Sequence, residues 1–392
     1  MKFDGKIDLA VGYSARSKKW KNEKWLWSAL VKKLSTANHT SETFKEFLGA
    51  NKEDQLKIKD VGGYVGGYLR GSRRKPENVT HRQLLTLDID FAQEGFWSDF
   101  SMLFGNAALL HGTHKHSKES PRLRLIMPLD REATSDEYVA VARYVAGIIG
   151  IDLFDNTTFQ PARLMFWVSN PKDVEHYVEF QDGAWLEVDE ILNSYVDWTD
   201  SSSWATSQKT FDDIKGHTKK QKDPETKAGI VGAFCRTYNI HQAIQAFLPE
   251  EYIATDLQDR YTYQKGSTSA GLIVYDDKFS FSHHGTDPSS GKLCNAFDLV
   301  RLHKFSHLDI SGSETKSFRE MEELAVSDPE VRKSIAKDRF DDVKYEFADD
   351  QEEGFTEDLD LEWTSEMEAD AKGRFLSSAS NLNLIFANDE KL

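Results

Sequence analysis

The 392-residue chain has two cysteines, Cys235 and Cys294, no run of 18 apolar residues and no apolar signal region at its N-terminus. Two thiols cannot build a disulfide framework, which fits a reducing compartment. Without a long apolar run there is no candidate membrane helix, and without a leader the chain reads as cytosolic and soluble. No internal repeat is evident. The G-x-x-x-x-G-K-[ST] phosphate loop is missing as well; "VGGYVGGYLRGSRRK" is glycine-rich but lacks that signature and reads as a tight loop between elements.

What is present suffices for real cores: 39% hydrophobic and 12% aromatic residues in a length that suits two or three domains. The net charge of −16 argues superficially against a nucleic-acid partner. Its distribution argues otherwise. Residues 1–80 hold 17 Lys+Arg against 9 Asp+Glu, whereas residues 341–370 hold 14 acids and the single base Lys344. The acidic block has the composition of a solvated segment, and the basic N-terminal region suits a phosphate-binding surface.

The pattern along the chain is α+β. "SALVKKLS" and "SETFKEFLG" read as short helices, the second capped by Ser41 or Thr43, and "SDEYVAVARYVAGIIG" as an amphipathic helix capped by Ser135 and closed by Gly150. "LLTLDID", "NAALLHGTH", "RLRLIMPL" and "RLMFWVS" read as strands. We expect a first domain over 1–198, a polar linker over 199–227, a smaller α+β unit over 228–306 with Asn295 as a helix cap, and an acidic helical segment over 307–392.

Three clusters carry chemistry. In "LLTLDIDF", Asp88 and Asp90 fall two apart, so both point to one face of an apolar strand while Leu87, Ile89 and Phe91 point to the other. Two such carboxylates call for a metal ion, a pair of arginines, or a strand end open to water. In "HGTHKHSKESPRLRLIMPLD", His114 and His116, then Arg122 and Arg124, repeat that spacing on a presumed hairpin. A half-exposed hairpin needs polar residues on one side in any case. In "DLFDNTTFQPARLMFW", Asp155 precedes a strand that Arg163 enters; an Asp before Thr-Thr also suits an Asx-turn or a cap. Read as one site, the three clusters suit metal-bound triphosphate, with the arginines meeting phosphate in forked geometry.

The order "DID", "THKHSKESPRLRLIMPL", "FDNTTFQPARLMFW" resembles the archaeo-eukaryotic primase superfamily. It is most similar to the primase-polymerase region of phage and pathogenicity-island replication proteins of the virulence-associated protein E type. "QLKIKDVGGYVGGYL", "GAFCRTYNIHQAIQAFLP", "RYTYQKGSTSAGLIVYDDKFSFSHHGTDP" and "LCNAFDLVRLHKF" extend the resemblance along nearly the whole chain. It implies a catalytic core with an RRM-like sheet plus an α/β unit, then a smaller accessory domain and an acidic tail. It also implies a nucleotidyltransferase using Mg2+ or Mn2+, acting with nucleoside triphosphates on a single-stranded DNA template in the cytoplasm of a bacterial host. Asp88, Asp90 and Asp155 match the metal-binding acids, with Asp152 close enough to compete for the third place. His116 matches the nucleotide-binding histidine; His114, Lys115, Arg122, Arg124 and Arg163 would join it. The residue before that histidine is often a small hydroxyl in the family and is Lys115 here. A replicative helicase is expected in cis or in trans, the chain looking like the N-terminal half of a primase-helicase.

Two rival readings of the same residues remain. A replication-initiator nickase would use His114-x-His116 for its metal and Tyr138 or Tyr144 as nucleophile, but leaves the three acids without a joint role. A non-catalytic DNA-binding adaptor that loads a helicase would keep the acids as relics. His283, His284, Cys294 and His303 are possible zinc ligands, though their spacing is unlike paired zinc knuckles. Arg260, Tyr261, Tyr263 and Lys265 alternate cation and aromatic, which suits either template handling or an ordinary strand.

Overall fold

The structure, a computed structural model, describes residues 1–207, 223–309, 315–346, 363, 366–368 and 375–388. The chain divides into two compact units, one of residues 1–213, 253–272 and 282–291 and the other of 214–252, 273–281 and 292–392. Strands and helices mix throughout, an α+β architecture. Most of the expected linker, residues 208–222, and most of the acidic block 341–370 lie outside the described residues. No helix among the described residues is long and apolar enough to cross a membrane.

The first unit begins with β1 (Lys6–Gly12), β2 (Lys21–Leu26), α1 (Trp27–Leu34), β3 (Asn38–His39), α2 (Phe44–Gly49) and α3 (Lys52–Lys59). It continues with β4 (Gly63–Val65), β5 (Gly67–Leu69), β6 (Val79–Ile89), α4 (Phe96–Leu103), β7 (Ala108–Gly112), β8 (Leu123–Ala133) and α5 (Ser135–Ile149). β9 (Met165–Phe166), β10 (Ser169–Asn170), β11 (Val178–Gln181) and α6 (Val188–Asn193) follow. One antiparallel sheet has the order β11-β7-β8-β6-β5, and a second has the order β2-β1-β4-β9.

Alternation along β6 explains the charges in its apolar run. Leu85, Leu87 and Ile89 enter a core with Leu125 and Met127 of β8, Phe100 of α4 and Tyr138 and Ala142 of α5. Leu84 enters the opposite core, with Ile7, Leu9, Trp27, Tyr64 and Trp167. Asp88 lies four residues beyond Leu84 and so on the same face. Both faces of the strand are thus buried from Leu84 onward, and the second carries Asp88 near its end. Phe91 was expected on the apolar face; it lies past the strand end, half exposed, with the Arg122 guanidinium 5.6 Å above its ring.

Two local expectations are corrected. The cap of α5 is Thr134 rather than Ser135: its hydroxyl accepts from the Glu137 N–H while the Glu137 carboxylate accepts from the Thr134 N–H at 2.7 Å. That reciprocal pair needs a Glu three residues on, which Thr134 has and Ser135 lacks. The strand holding the histidines ends at Gly112, so His114 and His116 sit in the turn to β8 and not on a pleat. Atoms of the His116 ring lie 3.0 Å from where a Cβ on Gly112 would stand, so the turn folds back closely over a residue without a side chain.

In the second unit α7 (Gly229–Thr237), α8 (Ile240–Phe247), α9 (Ala296–Phe305), α10 (Thr315–Ser327) and α11 (Pro329–Glu346) surround Phe234, whose ring meets Phe247 at 5.4 Å and Phe297 at 5.9 Å. Asn239 and Asn295 cap α8 and α9. The possible zinc ligands each have other partners. Within the first unit Arg143 donates to His283 Nδ1 at 2.9 Å and the backbone N–H groups of Tyr263 and Gly271 donate to His284 Nε2; within the second, His303 Nε2 meets the Tyr252 hydroxyl at 2.8 Å. Cys294 is buried.

Candidate active site

The site begins as a row across three strands. His111 of β7 faces Arg124 of β8, and Arg124 faces Asp88 of β6. Arg124 Nε donates to Asp88 Oδ1 at 2.7 Å and its Nη1 donates to the Phe166 carbonyl at 2.9 Å. Burial pushes the Asp88 carboxyl up, and the Arg124 charge and hydrogen bond more than offset it, leaving it below the usual range. His111 is buried beside Arg124, and both effects hold its imidazole neutral, with a pKa down at about 3. Its Nδ1–H donates to the Gly112 carbonyl at 2.8 Å.

Two further acid–arginine pairs flank the row. Asp90 lies just past the end of β6 and meets Arg122, just before β8, at 3.0 Å. Asp155 caps a short 3-10 turn, accepting from the Thr157 N–H and hydroxyl, and also accepts from Arg163 Nη2 at 2.9 Å. The turn is stitched to β6: the Asp155 N–H donates to the Asp88 carbonyl at 3.0 Å, and the Asp88 N–H donates to the Thr158 hydroxyl at 2.7 Å. These bonds bring a residue 67 positions downstream beside the acid pair. Asp152 is bound instead by the Ser207 hydroxyl and stays off the site.

Together these residues line a cleft of about 380 Å3. Asp88, Asp90, Asp155, His114, Lys115, Arg122, Arg124 and Arg163 all reach it. His116 is not among the lining residues: its ring stacks on Tyr177 at 5.2 Å, and its Nδ1 accepts from the Arg122 N–H at 3.3 Å. His114 is held at both nitrogens, by Ser169 at 2.9 Å and Glu42 at 3.1 Å.

Sequence reasoning missed Lys59, His111 and Glu42. Lys59 ends α3, lies over the Phe166 ring at 5.3 Å and lines the cleft, where burial and then Lys115, Arg124 and Arg163 push its pKa down. Its signal was faint, one lysine in a basic region. His111 was legible as the residue two before the turn, on the face that Leu109 shares. Glu42 arrives through the parallel pairing of β3 and β10, which no local pattern announces.

With five cations against three acids, the lining carries two positive charges beyond its three ion pairs. Such a site favours a polyanion, provided the acids gain a partner when the arginines turn to the ligand. Three carboxylates form the donor set that hard divalent cations prefer, so the residues fit such an ion. In this structure each carboxylate is turned to its own arginine. Elsewhere among the described residues, Asp8, His81 and Glu132 offer possible ligand atoms within 4.8 Å of one another, and none of them lines the cleft.

Comparison with known proteins places the site in a recognised domain. The family model described as the VapE N-terminal domain matches residues 1–207, just over half of the chain. A solved structure, the AEP domain (PP-N190) of the cyanophage S-2L primase-polymerase, is similar at 13% identity over 48% of this chain and 87% of that chain, with a TM-score of 0.28. No curated protein matches.

Proposed function

The chain belongs to the VapE N-terminal domain family, and from that premise we propose that its cleft performs metal-dependent, template-directed nucleotidyl transfer, the work of a DNA primase-polymerase. The observation that carries the proposal is the meeting of the Asp88 and Asp90 segment with Asp155, 65 residues or more downstream, and with five cations in one cleft.

In this reading Arg122 and Arg163 hold the place of ligand charges. They would turn to the triphosphate together with Lys115 and Lys59, and Asp90 and Asp155, with Asp88, would hold Mg2+ or Mn2+. When bound, the metal would activate the attacking hydroxyl and stabilise the pyrophosphate leaving group. Asp90 and Arg122 are partly exposed, so their exchange of partners costs little. Arg124 and Asp88 are buried, and Arg124 keeps Asp88 ionised between turnovers. His114 is fixed by Glu42 and Ser169 at the cleft wall, and His116 steadies Arg122 through its backbone N–H.

The proposed catalytic domain is 1–198, assisted by 228–306, with a single-stranded DNA template, nucleoside triphosphates and a replicative helicase as partners in a bacterial host. Three placements weigh against the nickase alternative, the first being Tyr144 packed against Tyr195 at 5.5 Å. Both nitrogens of His114 are engaged, and Tyr138 is fully buried with its hydroxyl donating to the Thr86 carbonyl at 3.2 Å. Nucleotide incorporation on primed and unprimed single-stranded templates tests the proposal, and it also separates an enzyme from a helicase-loading adaptor.

A further inference from the structure

Tyr13 is the most exposed aromatic side chain among the described residues, at 90%. It opens the turn between β1 and β2, whose sequence "YSARSKKW" carries Arg16, Lys18 and Lys19 and no acid. A single exposed tyrosine needs no explanation. Three features of this one do.

The turn is held rather than loose. The Ser14 N–H donates to the Ser17 hydroxyl at 2.9 Å, and the Ser17 N–H returns to the Ser14 carbonyl at 3.1 Å. The Ala15 N–H donates to the Asp60 carboxylate at 2.9 Å, beside Lys59 of the cleft. Gly62, with φ at +82°, lets the backbone approach; a Cβ there would lie 3.1 Å from the Tyr13 carbonyl oxygen. The base of the turn is therefore fixed while its tyrosine ring is left in water.

A second basic segment lies alongside. "RGSRRK", residues 70–75, follows β5, and Leu69 exchanges hydrogen bonds with the Asn22 side chain of β2 at 3.0 and 3.1 Å. Arg74 lies 5.6 Å over the ring of buried Trp20, the last residue of the turn, and donates to the Ala162 carbonyl at 2.9 Å. Arg74 thus bridges the turn and the segment that leads into Arg163.

The sheet then measures the route to the cleft. Phe166 of the cleft wall pairs with Gly63, and Gly63 pairs with Gly12, one residue before Tyr13. Two strand spacings are roughly 10 Å. A polymer seated in the cleft meets this surface within a short reach.

We propose that the Tyr13–Trp20 turn and the 70–75 segment form a binding track for single-stranded nucleic acid continuous with the cleft, with Tyr13 stacking on an unpaired base and Arg16, Lys18, Lys19 and Arg73 following the phosphates. Alternating cations and one presented ring are the chemistry that holds unpaired strands without regard to sequence. The inference rests on the proposed function for the identity of the polymer.

The test is fluorescence anisotropy of the full chain with a labelled oligothymidylate and a labelled duplex, without nucleotide or metal. Tyr13→Ala should weaken single-strand binding roughly 5- to 150-fold and spare the duplex. Lys18→Ala/Lys19→Ala should reduce the slope of log affinity against log salt by about 1.4. Tyr13 is solvent-exposed, so its variant should melt as the parent does. Single-strand binding within twofold of the parent, or an equal loss on duplex, overturns the track. If binding depends on Tyr13 but no template supports incorporation, the track stands and the proposed activity falls; incorporation with binding indifferent to Tyr13 gives the reverse.

Discussion

Arg124 and Asp88 occupy one register position on neighbouring strands, and their side chains meet at 2.7 Å at the floor of the cleft. The pair answers the question that two acids in an apolar strand pose. One of the strand's two buried faces gives way to a charged cleft, and the next strand delivers the countercharge.

The first prediction concerns that pair. Asp88→Asn leaves Arg124 buried without an ionic partner and should destabilise the first unit by about 3 kcal/mol in urea unfolding. The folded carboxyl sits below its unfolded value of about 3.9. Its contribution is therefore complete above that value and is lost as pH falls through the folded pKa. The parent should lose stability below about pH 4 more steeply than the Asn variant, and parallel curves would remove the pair from the account.

His111 contributes with the same sign at higher pH, because its imidazole is buried neutral. Its folded pKa of about 3 lies below the unfolded value of about 6.5, so the unfolded chain binds the extra proton between them. Stability from this group is full above about pH 6.5 and declines as pH falls toward 3. NMR should show the His111 ring neutral at pH 5, and His111→Leu should flatten the decline between pH 6.5 and 4. A ring that titrates near 6.5 would contradict the buried placement.

Arg122 separates binding from folding. Its pair with Asp90 is partly exposed, so Arg122→Ala should change stability by no more than about 1 kcal/mol. If the side chain turns to phosphate, the same variant should weaken nucleoside triphosphate binding roughly 10- to 150-fold, the worth of a charged hydrogen bond. Unchanged nucleotide affinity in calorimetry would take the triphosphate away from this residue.

Charge distribution supplies another. Residues 1–80 are basic and residues 341–370 acidic, so deleting 341–392 should leave affinity for single-stranded DNA unchanged or slightly tighter. Affinity of both forms should fall steeply with salt. A large loss on deletion would place the nucleic acid elsewhere.

Much of this architecture was legible because it is local. β6, β7, β8 and α5 follow from the apolar alternation around Leu85, Leu109 and Leu125 and the helical spacing after Thr134, and the family resemblance read from the ordered motifs holds for residues 1–207. The errors are also local: a capping box shifted by one residue, and a strand ended early by the tight turn at Gly112. Other features depend on distant partners. Phe91 reads as core because no local pattern shows the strand stopping at Ile89. Lys59 reaches the cleft, and Glu42 reaches His114 on the cleft wall, through pairings that join residues more than a hundred positions apart, Gly63 with Phe166 and Asn38 with Ser169.

The most direct measurement is incorporation of labelled nucleotide by the purified full chain on primed and unprimed single-stranded DNA, with Mg2+ and with Mn2+, for the parent and for Asp90→Asn. Asp90 is partly exposed and the change keeps its size, so the variant should fold normally, and a calorimetric titration with Mn2+ shows whether it has lost metal. The account predicts incorporation by the parent and a loss of about 100-fold or more in Asp90→Asn, alongside weaker Mn2+ binding. A fully active Asp90→Asn, or a folded parent that incorporates nothing on any template with either metal, would contradict it.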